Sequence, residues 1–192
     1  VSCTASNPCG PTNCTFTDNP DGMLVFRNGD NNIAYGNFFI RAGGIRVKEA
    51  NNIYCYNNYF ENSGVGGTMN AVTYDYVSPN LKNINFLYNS FVECGLSDLG
   101  GNGPTVNTWA NNLFQKTSGN IFANPNGGTT WIGNIYAGVL GISIPSGMTP
   151  TADLVLAVNG DGYYGLAAGS PAIDHANPNY PPILDIADLD DD

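Results

Sequence analysis

The sequence has few charged residues, and basic residues are the rarest of them. Only six of its 192 residues are Lys or Arg and one is His, against 16 Asp and Glu, so the formal net charge is −10 at pH 7. Helical surfaces usually carry many Glu, Lys and Arg side chains, so their scarcity argues against a helical protein. Excess negative charge repels phosphate backbones and anionic lipids. We therefore expect no nucleic acid partner.

Long apolar runs are also missing. No segment approaches the length of about 20 apolar residues that a membrane-spanning helix needs, and we expect no membrane insertion. Hydrophobic residues nevertheless make up 42% of the chain. A chain of this length and composition can bury a core as one domain.

Cysteines are too few, and odd in number, for a disulfide scaffold. Three lie near the N-terminus and two lie further on: Cys3, Cys9, Cys14, Cys55 and Cys94. Their spacing matches no tetrahedral zinc pattern. We expect one N-terminal disulfide, with the remaining cysteines as buried thiols or a second bridge.

A glycosylation sequon accompanies the N-terminal cysteines. Asn13-Cys14-Thr15 has the acceptor pattern for an N-linked glycan, with Asn13 as the attachment site. Disulfides and N-glycans both belong to secreted proteins. The sequence therefore predicts an extracellular location, either secreted or at the cell surface.

What the chain does contain is a repeat in which asparagine precedes an aromatic residue by two positions. The intervals between successive copies are 21, 31, 23 and 22 residues. Such a period is typical of stacked units that bury their apolar faces against each other. A stacked asparagine can bond the neighbouring backbone and the amide of the next unit. The copies are Asn37-Phe38-Phe39, Asn58-Tyr59-Phe60, Asn89-Ser90-Phe91, Asn112-Leu113-Phe114 and Asn134-Ile135-Tyr136.

The short runs within each period are rich in β-forming residues and are separated by Gly and Asn. They predict an all-β solenoid, a parallel β-helix of about seven or eight rungs. We place the rungs in residues 1–138, with 1–22 as a cap-like first rung. The proline-rich segment 139–192 is predicted to be an irregular covering over the last rung, ending in an acidic tail. The long interval predicts an insertion within 61–80.

Alternation along two strands predicts a basic surface. In Gly44–Lys48 the residues Ile45 and Val47 face one side, which leaves Arg46 and Lys48 on the other. Arg27 lies 19 residues before Arg46, close to one repeat, and is predicted on the adjacent rung. Arginine binds carboxylates and aromatic rings pack against sugars. The predicted substrate-binding residues are Arg41, Arg46, Lys48, Tyr74 and Tyr76. Alternatively, these are solvated charges paired with Asp30, Glu49 and Asp75.

Four motifs in order resemble the polysaccharide lyase family that contains alginate lyases and chondroitinase B. They are Phe26-Arg27-Asn28-Gly29-Asp30, Asn37-Phe38-Phe39, Gly43-Gly44-Ile45-Arg46-Val47 and Asn57-Asn58-Tyr59-Phe60. The resemblance implies a right-handed parallel β-helix. It also implies β-elimination of acidic polysaccharides, with a lysine base, an arginine that assists at the leaving group, and calcium in many members.

Residue by residue, that resemblance is incomplete. Arg27 matches the catalytic arginine, but Asn28 stands where the motif usually has histidine. The lysine is expected near Ala5, yet no lysine precedes Lys48. The family's calcium ligands would fall before residue 1. We therefore expect no cofactor in this chain, and calcium only if further N-terminal rungs are present.

The favoured interpretation is a secreted β-helix module that lacks catalysis. It would either contact an acidic polysaccharide or serve a structural role, since open rung edges favour head-to-tail self-association into filaments. One alternative is the C-terminal part of an active alginate- or chondroitin-type lyase. Another is a cell-surface adhesin-type β-helix.

Overall fold

The computed structural model describes residues 10–19, 23–63, 70–75, 82–96, 106–123 and 128–180. These ranges contain 17 β-strands and no helix. Within them, consequently, no helix is long and apolar enough to cross a membrane.

Fifteen of the strands form three parallel sheets. Sheet 1 consists of β1 (Thr15–Thr17), β4 (Phe38–Ile40), β7 (Tyr59–Glu61), β10 (Ser90–Val92), β12 (Leu113–Asn120), β14 (Asn134–Val139) and β15 (Met148–Thr151). Sheet 2 consists of β3 (Asn32–Tyr35), β6 (Ile53–Tyr56), β9 (Lys82–Leu87), β11 (Val106–Ala110) and β13 (Thr129–Ile132). Sheet 3 consists of β2 (Met23–Arg27), β5 (Gly44–Lys48) and β8 (Val72–Asp75). The last two strands, β16 (Leu156–Val158) and β17 (Tyr164–Leu166), form an antiparallel hairpin.

From β2 to β10 the chain passes through sheets 3, 2 and 1 in turn, once per rung. From β11 to β14 the described strands alternate between sheets 2 and 1, and β15 adds a further strand to sheet 1. Phe38 pairs with Tyr59, Tyr59 with Ser90, and Ser90 with Leu113, so the register advances by one repeat per rung. This is a parallel β-helix, and the predicted fold class is confirmed. Sheet 1 has seven strands, in agreement with the predicted number of rungs.

The corners between sheets are marked by residues in the left-handed backbone conformation. This conformation suits Gly and Asn, because Gly has no Cβ and Asn bonds the local backbone. A complete column of such residues separates sheet 2 from sheet 1: Asn13, Gly36, Asn57, Tyr88, Asn111 and Gly133. The high Gly and Asn content of the sequence is thus a consequence of the sharp corners.

The repeated asparagines lie at or just before the start of strands of sheet 1 and form a buried ladder. The Oδ1 atom of Asn58 accepts hydrogen bonds from the backbone N–H and the side-chain amide of Asn37, at 3.1 and 2.9 Å. The Nδ2 atom of Asn58 donates to Oδ1 of Asn89 at 2.9 Å and to the carbonyl of Ala34 at 2.9 Å. In the next rung, Oδ1 of Asn112 accepts hydrogen bonds from the backbone N–H and the side-chain amide of Asn89. The predicted bonding between rungs is confirmed.

The ladder ends on two different groups. At one end the backbone N–H of Cys14 donates to Oδ1 of Asn37, at 3.0 Å, so a cysteine occupies the ladder position of the first strand. At the other end the backbone N–H of Asn134 donates to the carbonyl of Gly147, at 2.9 Å. All five ladder asparagines are 0–1% exposed. Their polar groups therefore depend on one another for hydrogen bonds.

A stack of rings runs beside the ladder through the core. Its centroids are 4.6–5.1 Å apart and its interplanar angles do not exceed 12°. The members are Phe16, Phe39, Phe60, Phe91 and Phe114. Because the rungs are separated by one strand spacing of about 4.8 Å, the rings meet face to face at van der Waals distance.

The segment after residue 138 differs from the predicted covering. Strand β15 pairs in parallel with β14 and adds another strand to sheet 1. The hairpin then lies against the outside of sheet 1, where the Tyr163 ring is 4.7 Å from that of Phe38. The backbone N–H of Tyr164 donates to the Tyr59 hydroxyl at 3.1 Å. The described part of the C-terminal segment, up to residue 180, thus covers one side of the solenoid. The acidic tail lies outside the described residues.

Three of the five cysteines are described, and all three are free thiols. Cys55 and Cys94 are buried, as one of the two predicted alternatives required, and burial raises the pKa of Cys94 to about 12. Cys14 is half-buried and unbridged. Cys3 and Cys9 lie outside the described residues. Asn13 is exposed, but its glycosylation stays a prediction.

Replacement of one ladder residue is expected to destabilise the whole stack. Asn89→Ala removes bonds to Asn58, Asn112 and Cys55 and leaves buried groups without partners. We expect the free energy of unfolding to fall by about 3 kcal/mol or more. Chemical denaturation measures this, and a fall no larger than that of Asn120→Ala, an exposed asparagine on β12, contradicts the role of the ladder.

The cysteine at the start of the ladder suggests a stabilising substitution. Cys14→Asn adds an amide that can donate to Oδ1 of Asn37, as the other ladder residues do. We expect the free energy of unfolding to rise by about 0.5–1.5 kcal/mol. Cys14→Ser is the control, because its shorter side chain does not complete the pattern. Equal stability of the two variants would count against an extendable ladder.

Candidate functional site

Sheet 3 carries the basic residues that the sequence singled out. Its inward side chains are Phe26, Val47 and Tyr74, which are 6%, 0% and 2% exposed. Alternation therefore turns the neighbouring residues of each strand to the outer face. By this alternation Arg27, Arg46 and Lys48 lie on the outer face of sheet 3.

Two rows of paired residues cross the outer face of sheet 3. In one row Val25 pairs with Arg46, and Arg46 with Thr73. In the other row Arg27 pairs with Lys48, and Lys48 with Asp75. Adjacent strands lie about 4.8 Å apart, so three cationic residues occupy neighbouring positions on one face. We call Arg27, Arg46 and Lys48 the basic face.

The predicted geometry of the basic face needs one correction. Arg27 and Arg46 do lie on adjacent strands, but Arg27 is directly opposite Lys48 and diagonal to Arg46. The reason is that β2 and β5 are offset by 21 residues and not by the 19 that separate the two arginines.

Arg41 lies at the corner that follows β4 and is engaged elsewhere. Its Nε donates to the Asp18 carboxylate at 2.5 Å, across one rung. The hydrogen bond from Arg41 lowers the pKa of the Asp18 carboxyl, and the bond to Asp18 raises the pKa of Arg41. Both side chains are largely exposed. The structure therefore separates Arg41 from the basic face.

Tyr74 does not belong to the surface, contrary to its predicted part in binding. It pairs with Val47 in the inward row, and its hydroxyl donates to Oδ1 of Asn107 at 3.0 Å. Burial raises the pKa of its phenol well above the ordinary value. A ligand on the outer face cannot reach this ring. Tyr76 and most of the predicted insertion within 61–80, namely 64–69 and 76–80, lie outside the described residues.

A metal centre is not formed by the part of the chain that the structure describes. No three His, Cys, Asp or Glu side chains come together there in a way that could hold an ion. The described residues therefore offer no site for the calcium that the lyase resemblance implies.

A concave surface elsewhere on the molecule was missed by sequence reasoning. A groove of about 450 Å³ lies outside sheet 1, between the corner column that contains Asn57, Tyr88 and Asn111 and the C-terminal hairpin. Its far wall includes Asp161 and His175. The groove is formed by residues more than 100 positions apart in sequence, so no local pattern signals it.

Comparison with known proteins agrees with the fold. No protein-family model matches the sequence, and no curated protein matches it. Among solved structures, an arginine-to-alanine mutant of the PL6 family alginate lyase AlyGC is similar, with a TM-score of 0.56 and 20% identity. The match covers 91% of this chain but 28% of the lyase chain. At this identity the likeness shows the fold alone: the chain is a polysaccharide-lyase-like parallel β-helix that spans about a quarter of that lyase's length.

Proposed function

We propose that the protein is an extracellular β-helix module that binds an acidic polysaccharide on the basic face without cleaving it. The observation that carries this proposal is the strand register, which groups Arg27, Lys48 and Arg46 on adjacent strands. The chain has a net charge of −10 and only six Lys and Arg residues, so three of them on one face is an unusual concentration of positive charge.

The spacing of the basic face suits a polyanion with regularly placed carboxylates. Side chains on neighbouring strands and at alternate positions repeat every 5–7 Å or so, and arginine forks bind carboxylates in a bidentate manner. Arg27 is exposed, whereas Arg46 and Lys48 are half-buried. Partial burial reduces screening, so their attraction to a carboxylate is stronger than that of fully solvated charges.

The lack of a lysine near Ala5, where the lyase resemblance expects the base, supports binding without cleavage. No lysine precedes Lys48 in the sequence. Arginine is a poor base, because its guanidinium stays protonated in proteins. Tyr74 is buried and its pKa is raised, so it is not placed to remove a proton from an external sugar. We therefore assign Arg27 to binding in this chain.

The lyase neighbour supports a second candidate function. The neighbour is named an alginate lyase, and this chain spans 28% of its length. In this second proposal the chain is part of an active lyase, and Arg27 assists at the leaving group while the base comes from residues outside this sequence.

Titration with alginate and chondroitin sulfate separates the two proposals. We expect both the protein and its variants to leave the polymer uncleaved, with no absorbance gain at about 235 nm from unsaturated uronate. Arg27→Ala, Arg46→Ala and Lys48→Ala are each expected to weaken binding about tenfold, because each removes a charge-assisted hydrogen bond. Binding should also weaken steeply as salt is added.

Arg41→Ala is the matched control, because Arg41 has the same charge but lies at the corner after β4, away from the outer face of sheet 3. It should leave affinity within about twofold of that of the parent protein. Equal losses for Arg41→Ala and Arg46→Ala would refute the basic face. Uronate product that disappears on Arg27→Ala would establish the lyase proposal instead.

A further inference from the structure

The groove outside sheet 1 has a floor built by the strand register. One side chain from each of five consecutive strands contributes to it, in paired positions: Phe38, Tyr59, Ser90, Leu113 and Ile135. Four strand spacings of about 4.8 Å give this row a length of about 19 Å. The row is therefore long and straight, with the small side chain of Ser90 at its middle. The C-terminal segment packs over part of it and leaves 9% of Tyr59 and 4% of Ile135 exposed.

Tyrosine rings border the floor and are held in place. Tyr163 packs between Phe38 and Tyr59, with ring centroids at 4.7 and 5.6 Å. The Tyr88 hydroxyl donates to the carbonyl of Tyr180 at 2.6 Å. Tyr164 lines the groove and is 41% exposed. Rigid, amphipathic rings of this kind offer flat apolar faces with little loss of entropy on binding.

Several polar groups in the groove have spare hydrogen-bonding capacity. The side chains of Asn57, Ser90 and His175 line the groove and bond to none of the other described residues. Asn111 differs, because its Oδ1 accepts from the backbone N–H of Asn177 at 2.8 Å and so holds the wall together. The groove thus combines fixed apolar faces with a few free donors and acceptors, as ligand sites do.

The charge of the groove opposes an anionic ligand. Neither Lys nor Arg is among its lining residues, whereas the carboxylate of Asp161 is. A uronate placed here would meet the like charge of Asp161 and no Lys or Arg side chain. A neutral ligand with hydroxyl groups would meet tyrosine faces, amides and a hydroxyl instead.

We propose that this groove binds a neutral oligosaccharide, laid along the solenoid axis between the corner column and the C-terminal hairpin. The site is separate from the basic face and favours neutral over anionic ligands. It stands whether or not the basic face binds an acidic polysaccharide.

Calorimetric titration of the full chain with four hexasaccharides tests the site. Cellohexaose, laminarihexaose and mannohexaose are the neutral probes, and hexaguluronate is the acidic one. We expect at least one neutral probe to bind with a Kd of about 1 mM or tighter. Asn57→Gly should weaken that binding about threefold to tenfold, because it removes an amide partner. Glycine is chosen because Asn57 has a φ of 51°.

Asn28→Gly is the matched control, since Asn28 has a φ of 52° and lies outside the groove. It should leave the affinity for the neutral probe unchanged. Ser90→Trp fills the middle of the floor and should abolish binding, while thermal unfolding reports whether the variant is folded. Asn57→Gly remains decisive if Ser90→Trp does not fold.

Two results would overturn the proposal. One is the failure of every neutral hexasaccharide to bind at about 10 mM, well above the affinity expected. The other is binding that Asn57→Gly and Asn28→Gly affect equally. Binding of hexaguluronate that is lost on Arg46→Ala would report on the basic face alone. The proposal for the groove and the proposal for the basic face can therefore be refuted separately.

Discussion

The hydrogen bond between the side-chain amides of successive rungs is the constraint on which the structure depends. Asn58, Asn89, Asn112 and Asn134 each accept two hydrogen bonds at Oδ1 and donate two from Nδ2, all within the buried core. A slip of one residue would turn the amide outward and leave its partners unsatisfied. The ladder therefore permits one register. The aromatic stack, the corners and the two candidate sites all follow from that register.

The same register produces two surfaces of opposite character. On sheet 3 it aligns Arg27 with Lys48 and places Arg46 on the same face. On sheet 1 it aligns a row of aromatic, aliphatic and hydroxyl side chains, which the C-terminal hairpin turns into a groove. Stacking one strand above another converts a one-dimensional repeat into a flat array about 4.8 Å apart. The repeating units of an extended polymer such as a glycan match the regular spacing of such arrays.

The fold was predictable from the sequence because its signal is local and repeated. The asparagine–aromatic interval gave the rungs, and alternation gave the outward positions of Arg46 and Lys48. The 19-residue spacing of Arg27 and Arg46 could not give their register, because the strands are offset by 21. The inward position of Tyr74 was within reach of the same rule, because Tyr74 shares a face of β8 with the apolar Val72, opposite Thr73 and Asp75. The groove depends on contacts such as that between Tyr164 and Tyr59, 105 residues apart, which no local pattern encodes.

Native-state hydrogen exchange tests the central claim most directly. If the ladder fixes the register, the backbone amides of Asn37, Asn58, Asn89 and Asn112 exchange only when the whole protein unfolds. Their exchange free energies should then equal the global free energy of unfolding and share its dependence on denaturant. The amide of Asp161, in the exposed hairpin, should exchange through smaller openings. Ladder amides that exchange as readily as that of Asp161 would contradict the account.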